Sequence, residues 1–181
     1  NRRIYELKEQ LSKLSVRRGL MRKQRKKQEL PQIALVGYTN AGKSTLLKAL
    51  SQSEVFCEDK LFATLDPLTR RCELDKNINV CVTDTVGFIK KLPHQLVEAF
   101  RSTLEEAVFA DILIHVCDAS SPELFAQIAA VEEVLVSIGA ADIPTITVLN
   151  KIDRVEGELP AVKDAIYISA ATGENLDALK Q

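Results

Sequence analysis

The chain has 181 residues, 46% hydrophobic and 27% charged, enough apolar side chain to close one sizeable core and, on ordinary domain sizes, not two. No apolar run approaches the ~18 residues of a membrane-spanning helix, and the basic N-terminus is not followed by the apolar core of a secretion signal. Cys57, Cys72, Cys81 and Cys117 are scattered without C-x-x-C spacing or a histidine cluster, which argues against zinc and a disulfide framework and reads as reduced core thiols in a reducing compartment.

The net charge of −1 conceals an asymmetry: residues 1–28 hold eleven Lys or Arg against two Glu, whereas residues 32–181 are predominantly acidic. Two electrostatically unlike pieces meet near Pro31. In the first, residues 1–30, Ile4, Leu7, Leu11 and Leu14 form a heptad seam that calls for a helical partner. The basic run RRGLMRKQRKKQ reads either as a solvated linker or as a contact to phosphate, RNA above all.

Residues 32–181 alternate short apolar strands with amphipathic helices, the pattern of a three-layer α/β domain with a mainly parallel sheet. QIALV reads as a strand, and Lys43 to Leu50 as a helix facing inward through Leu46, Leu47 and Leu50. Ser51 to Pro67 reads as a long loop, a length uncommon unless functional. CEL and INVCVTD are expected strands, followed by a helix near His94 to Phe109 and the apolar strand DILIHVCD. Ser120-Ser121-Pro122 is expected to open the next helix; PTITVLN and AIYIS are strands, and GENLDALKQ begins a last helix that stops short.

Three motifs carry chemistry. GYTNAGKS fits G-x-x-x-x-G-K-[ST] between a strand and a helix, the arrangement that wraps phosphates in backbone N–H groups. Gly37, Tyr38, Thr39, Asn40, Ala41, Gly42 and Thr45 are expected to line the phosphates, Lys43 to reach the β- and γ-phosphates, and Ser44 to ligate Mg²⁺. Asp84-Thr85-Val86-Gly87 offers a carboxylate for Mg²⁺ and, at Gly87, an N–H that can sense a γ-phosphate. Thr64 is the first candidate, and Thr69 the second, for the hydroxyl that closes over metal and γ-phosphate, making 53–67 and 85–95 two switch segments. Lys43, Thr64 and Gly87 are the catalytic candidates; Ser44, Thr64 and Asp84 are the metal candidates.

The third motif, Asn150-Lys151-Ile152-Asp153, follows a strand at the edge where an open α/β sheet binds ligands. The carboxylate of Asp153 only accepts, so it matches the N1–H and N2–H₂ donors of guanine and opposes the N1 acceptor of adenine, a mismatch that can cost ~10⁴-fold in affinity. GTP and GDP are the expected ligands. Lys151 should lay its stem over the base, Asn150 should tether the base loop to the phosphate loop, and N–H groups near Ser169 and Ala170 should meet the guanine O6.

GYTNAGKS, Thr64, DTVG, NKID and Ser169-Ala170, in this order, resemble the translation-factor-related GTPases. LFATLDPLTRR (61–71) and DTVGFIKKLPHQLVEAFRSTLEEA (84–107) narrow the resemblance to the HflX family of ribosome-associated GTPases, over residues 32–181. It implies a P-loop α/β GTPase domain over those residues, with residues 1–30 as the end of a basic helical linker from an N-terminal domain. It also implies a cytoplasmic protein that binds the large ribosomal subunit, has its hydrolysis stimulated there, and helps separate stalled or idle ribosomes under stress; an organellar relative stays open. The chain alone is expected to be a monomer.

Phe88 stands where Ras-like GTPases carry the glutamine that orients water, so the isolated domain should hydrolyse GTP slowly, with water positioned by backbone, by another switch residue or by a partner in trans. Some relatives use an asparagine in the phosphate loop to bind a potassium ion that offsets transition-state charge, so the resemblance raises potassium at Asn40 as an additional cofactor, which equal turnover in sodium and potassium would remove. His115, inside an apolar strand, reads as a hydrogen-bonded core side chain, and His94 lacks the neighbours of a nucleophilic triad. Two other readings stay open: a nucleotide-dependent binding module in which hydrolysis is incidental, and an ATPase or small-molecule kinase, which Asp153 disfavours.

Overall fold

QIALV becomes the centre of a sheet. In the computed structural model, which describes residues 30–51, 68–74, 78–87, 104 and 106–181, β1 (Gln32–Val36) lies between β3 (Asn79–Asp84) and β4 (Ile112–Asp118) and runs parallel to both. With neighbours on both sides and layers on both faces, such a strand has no polar side, hence its unbroken apolar run. β5 (Thr145–Asn150) and β6 (Ile166–Tyr167) extend the parallel part, and β2 (Leu68–Glu73) closes the other edge antiparallel to β3, giving the order β2-β3-β1-β4-β5-β6. The mainly parallel α/β sheet expected from the alternation of elements is the observed one.

Period-2 alternation divides β1 between two cores. Ile33 and Leu35 pack with Leu46, Leu47 and Leu50 of α1 (Lys43–Ser51) and Leu176 of α3 (Leu176–Lys180). Ala34 and Val36 face the other way, against Val131 and Leu135 of α2 (Leu124–Ser137) and against Leu104 and Ala107. Chain order reverses at β1, whose neighbours are β3 on one side and β4 on the other, so the carboxyl ends of β1 and β4 flank a crevice where such sheets bind ligands. No helix among the described residues is long and apolar enough to cross a membrane.

Several element boundaries differ from the sequence-based expectation. β2 begins at Leu68, ahead of the expected Cys72, because its order comes from an antiparallel ladder running from Leu68↔Asp84 to Glu73↔Asn79 and not from an apolar alternation. α2 begins at Leu124, not at Ser120-Ser121-Pro122, since those hydroxyls serve the turn before it: Ser120 donates to Asp118, and Ser121 Oγ accepts from the Glu123 N–H. Ser51 ends α1 and does not start a loop. β6 is trimmed to Ile166–Tyr167, and α3 starts at Leu176 after Asn175 in the left-handed conformation, φ 57°. Of the helix expected near His94 to Phe109, residues 104 and 106–108 are helical and 94–103 and 105 lie outside the described residues, as do the basic helix expected before residue 30, residues 52–67 with Cys57 and Thr64, and residues 88–93 with Phe88.

Candidate functional site

β1 ends at Val36 and the chain turns through Gly37 to Gly42 into α1, whose first residue is Lys43. Gly42 has φ 99°, and a Cβ there would run into the side-chain amide of Asn150, so both conformation and space require glycine. The Lys43 ammonium is buried and donates to the carbonyls of Gly37 (3.3 Å) and Tyr38 (3.0 Å). Burial pushes it down to about 8, against the pull of Asp84 and with a further push from Lys151. Thr45 follows in α1.

Ser44 Oγ donates to Asp84 Oδ2 at 2.5 Å, joining the start of α1 to the fully buried carboxylate at the end of β3. A hydroxyl and a carboxylate beside the phosphate loop fit the hard-oxygen chemistry of magnesium, which takes one or two protein oxygens and completes its shell with water and phosphate. Just past β3, a Cβ on Gly87 would lie 2.7 Å from Thr39 Cα and 3.0 Å from Lys43 Nζ, so the backbone there abuts the phosphate loop. The alternative hydroxyl, Thr69, lies in β2 with its Oγ1 2.9 Å from that of Thr83, in the sheet ladder.

The base loop starts at the end of β5. The amide of Asn150, 2% exposed, donates to the Ala41 carbonyl (2.9 Å) and accepts from the Ala170 N–H (2.9 Å), connecting three loops. Lys151 takes φ 65° and donates through Nζ to the Asn40 carbonyl (2.6 Å) and to Asp118 Oδ2 (2.8 Å). Asp153 is exposed in the single turn Ile152–Arg154. Ser169 is buried; its N–H donates to the Glu174 carbonyl and its Oγ accepts from the Thr172 N–H. The Ser169 and Ala170 amides thus both have acceptors within the protein, and a base oxygen would have to share Ala170 N–H with Asn150.

At one edge of the sheet the structure therefore brings together Gly37 to Thr45, Asp84, Gly87, Asn150, Lys151, Asp153, Ser169 and Ala170, while Thr64 lies outside the described residues. The sequence reading missed Asp118, whose signal was available: it is the last residue of β4, at the same carboxyl edge and in register with Asn150. His115 is buried within β4, and burial, with a smaller push from Lys43, holds its imidazole down to about 4 and so neutral at physiological pH.

Sheet, glycine loop, acid-ended β3 and Asn-Lys-x-Asp turn define a P-loop GTPase domain. The solved structure of a GTP-binding protein from Sulfolobus solfataricus in complex with GDP matches it with a TM-score of 0.68 at 31% identity, over 90% of this chain and 54% of that one. Residues 32–151 match the family described as 50S ribosome-binding GTPase. The GTPase HflX of Caldanaerobacter subterraneus is 52% identical over 98% of this chain and 41% of its own length, and that of Escherichia coli 41% identical over 99% and 44%. The chain belongs to this family of GTPases, among the HflX proteins, and spans about two-fifths of the length of these curated relatives.

The position of Lys43 predicts a pH dependence. Its folded value of about 8 lies below the ordinary 10.5, so the charged ammonium burdens the ligand-free fold below pH 8, and stability rises as pH climbs from about 8 toward 10.5. An anion beside Lys43 restores the proton. GDP binding should therefore take up a proton above pH 8 and weaken by up to about tenfold per pH unit in that window. Calorimetry in two buffers of different ionisation enthalpy reads the uptake directly.

Proposed function

We propose that this chain is the GTP-binding, slowly hydrolysing switch of a protein that acts on the large ribosomal subunit in the cytoplasm and helps separate ribosomes under stress. The observation that carries this reading is the bonding of the two recognition loops to each other: Asn150 to Ala41 and Ala170, and Lys151 to Asn40. Loops bonded in this way recognise base and polyphosphate as one ligand. Asp153 accepts the N1–H and N2–H₂ of guanine, the Lys151 stem covers the base, and the Ser169-Ala170 turn faces O6. Lys43 and the amides of the loop from Gly37 to Thr45 hold the phosphates, and the Gly87 N–H reports the γ-phosphate.

Ser44, Asp84 and Thr64 would hold magnesium, which when bound offsets charge on the β- and γ-phosphates. A structure of Era with MgGDPNP and nucleotides of 16S ribosomal RNA, 27% identical with a TM-score of 0.63, supports a magnesium nucleotide and a ribosomal setting for this fold. The match to 50S ribosome-binding GTPases supports the large subunit. Asn40, in the phosphate loop, is the residue whose side-chain oxygen would hold a potassium ion.

Single-turnover GTP hydrolysis with and without large subunits, in potassium and in sodium, tests this reading. Large subunits should accelerate the reaction toward the ~10³-fold that a partner-supplied group provides, with potassium faster than sodium. No acceleration in either salt would leave a nucleotide-dependent ribosome-binding module in which hydrolysis is incidental. Equal rates in the two salts would remove potassium alone.

A further inference from the structure

We propose that Asp118 is a positioning residue for the nucleotide site: it fixes the ammonium of Lys151, and through it the side chain that covers the base. This rests on the guanine-site reading above. Its two oxygens have separate tasks. Oδ1 accepts from the Ser120 N–H (3.0 Å) and the Ser120 hydroxyl (2.6 Å), which hold the carboxylate against the turn after β4. Oδ2 accepts from Lys151 Nζ at 2.8 Å, in a pair whose side chains are only 11% and 19% exposed.

Lys151 is thereby fixed at both ends. Its backbone stands at φ 65° directly after Asn150, and its ammonium is held between Asp118 and the Asn40 carbonyl of the phosphate loop. The Ala119 N–H donates to the Asn150 carbonyl at 2.8 Å, which ties the end of β4 to the start of the base loop. A free lysine is among the side chains that lose most rotamer freedom on binding. A lysine held by bonds within the protein has less of that freedom to lose, which is preorganisation, and its effect should fall on nucleotide dissociation more than on association.

The test is the dissociation rate of fluorescent mant-GDP from the 181-residue chain and its Asp118→Ala, Asp118→Asn, Lys151→Ala and Asp118→Ala/Lys151→Ala variants. Asp118→Ala should release mant-GDP about tenfold faster, the scale for losing a hydrogen bond to a charged group. In the Lys151→Ala background the same change should add nothing, because an effect exerted through Lys151 cannot be lost twice. Asp118→Asn keeps an acceptor for Ser120 but turns an amide N–H₂ toward the ammonium, so it should match the alanine variant; it also serves where Asp118→Ala fails to fold. Fast release from Lys151→Ala with wild-type release from both Asp118 variants would overturn the proposal and leave the guanine-site reading intact. Additive effects would overturn it too, showing that Asp118 acts on the fold and not through Lys151. Wild-type release from Lys151→Ala would remove the covering role of Lys151, and this proposal with it.

Discussion

Asp153→Asn is expected to weaken GDP binding by about two to three orders of magnitude. The proposed site gives the carboxylate two hydrogen bonds from guanine, each to a charged acceptor and each on the scale of ~1.5–3 kcal/mol. An asparagine retains one acceptor and presents a donor to the other, so one attraction becomes a donor-donor opposition. Xanthosine diphosphate, which carries a carbonyl where guanine carries N2–H₂, should gain affinity for the variant. Asp153 is exposed in a one-turn segment, so the melting temperature of the ligand-free chain should hardly move. Calorimetric titration of both proteins with GDP and xanthosine diphosphate reads the exchange; unchanged GDP affinity would remove Asp153 from the base site.

Lys43→Met is expected to have opposite effects on the empty and the loaded protein. Lys43 is buried against two carbonyls, and burial opposes its charge. An apolar side chain of similar length removes that cost, so the ligand-free variant should melt at the same temperature or higher. With GTP present the comparison reverses. In the proposed site the ammonium meets phosphate charge as it develops, and removing one such donor costs ~10²–10³-fold in turnover. GTP should then give the variant little of the thermal shift it gives the wild type. Thermal melts with and without GTP, paired with phosphate release, check both halves; a destabilised empty variant with normal turnover would contradict the assignment.

What could be read from the chain in advance follows from how far each signal reaches. The loop from Gly37 to Thr45 and the Asn150–Asp153 turn were legible because strand, turn and helix signals lie within a dozen residues of each other. β1 and β4 were legible because strands covered on both faces become continuous apolar runs. The start of β2 was not, since its first residues, Leu-Thr-Arg-Arg, carry no apolar alternation and owe their order to β3. The start of α2 was misplaced because Ser120 and Ser121 are good caps in isolation, and only the folded chain shows Asp118 engaging Ser120.

The site divides in the same way. Motifs identified the loops and one of the bonds between them, the tether from Asn150, which meets Ala41 across 109 residues. The pairing of Lys151 with Asp118, across 33 residues, is a contact that local pattern does not encode. Asp118 lay unnoticed as the polar end of an apolar strand, although its place at the carboxyl edge of the sheet was itself the clue.

The central claim is that one carboxylate, on a turn held to the phosphate loop, makes the site choose guanine. Displacement of mant-GDP from the 181-residue chain by GDP, GTP, ADP and ATP tests it most directly. The adenine nucleotides should need concentrations about 10³-fold or more above their guanine counterparts. Displacement by ADP within about tenfold of GDP, on a site whose polar edge should reject it, would contradict the account.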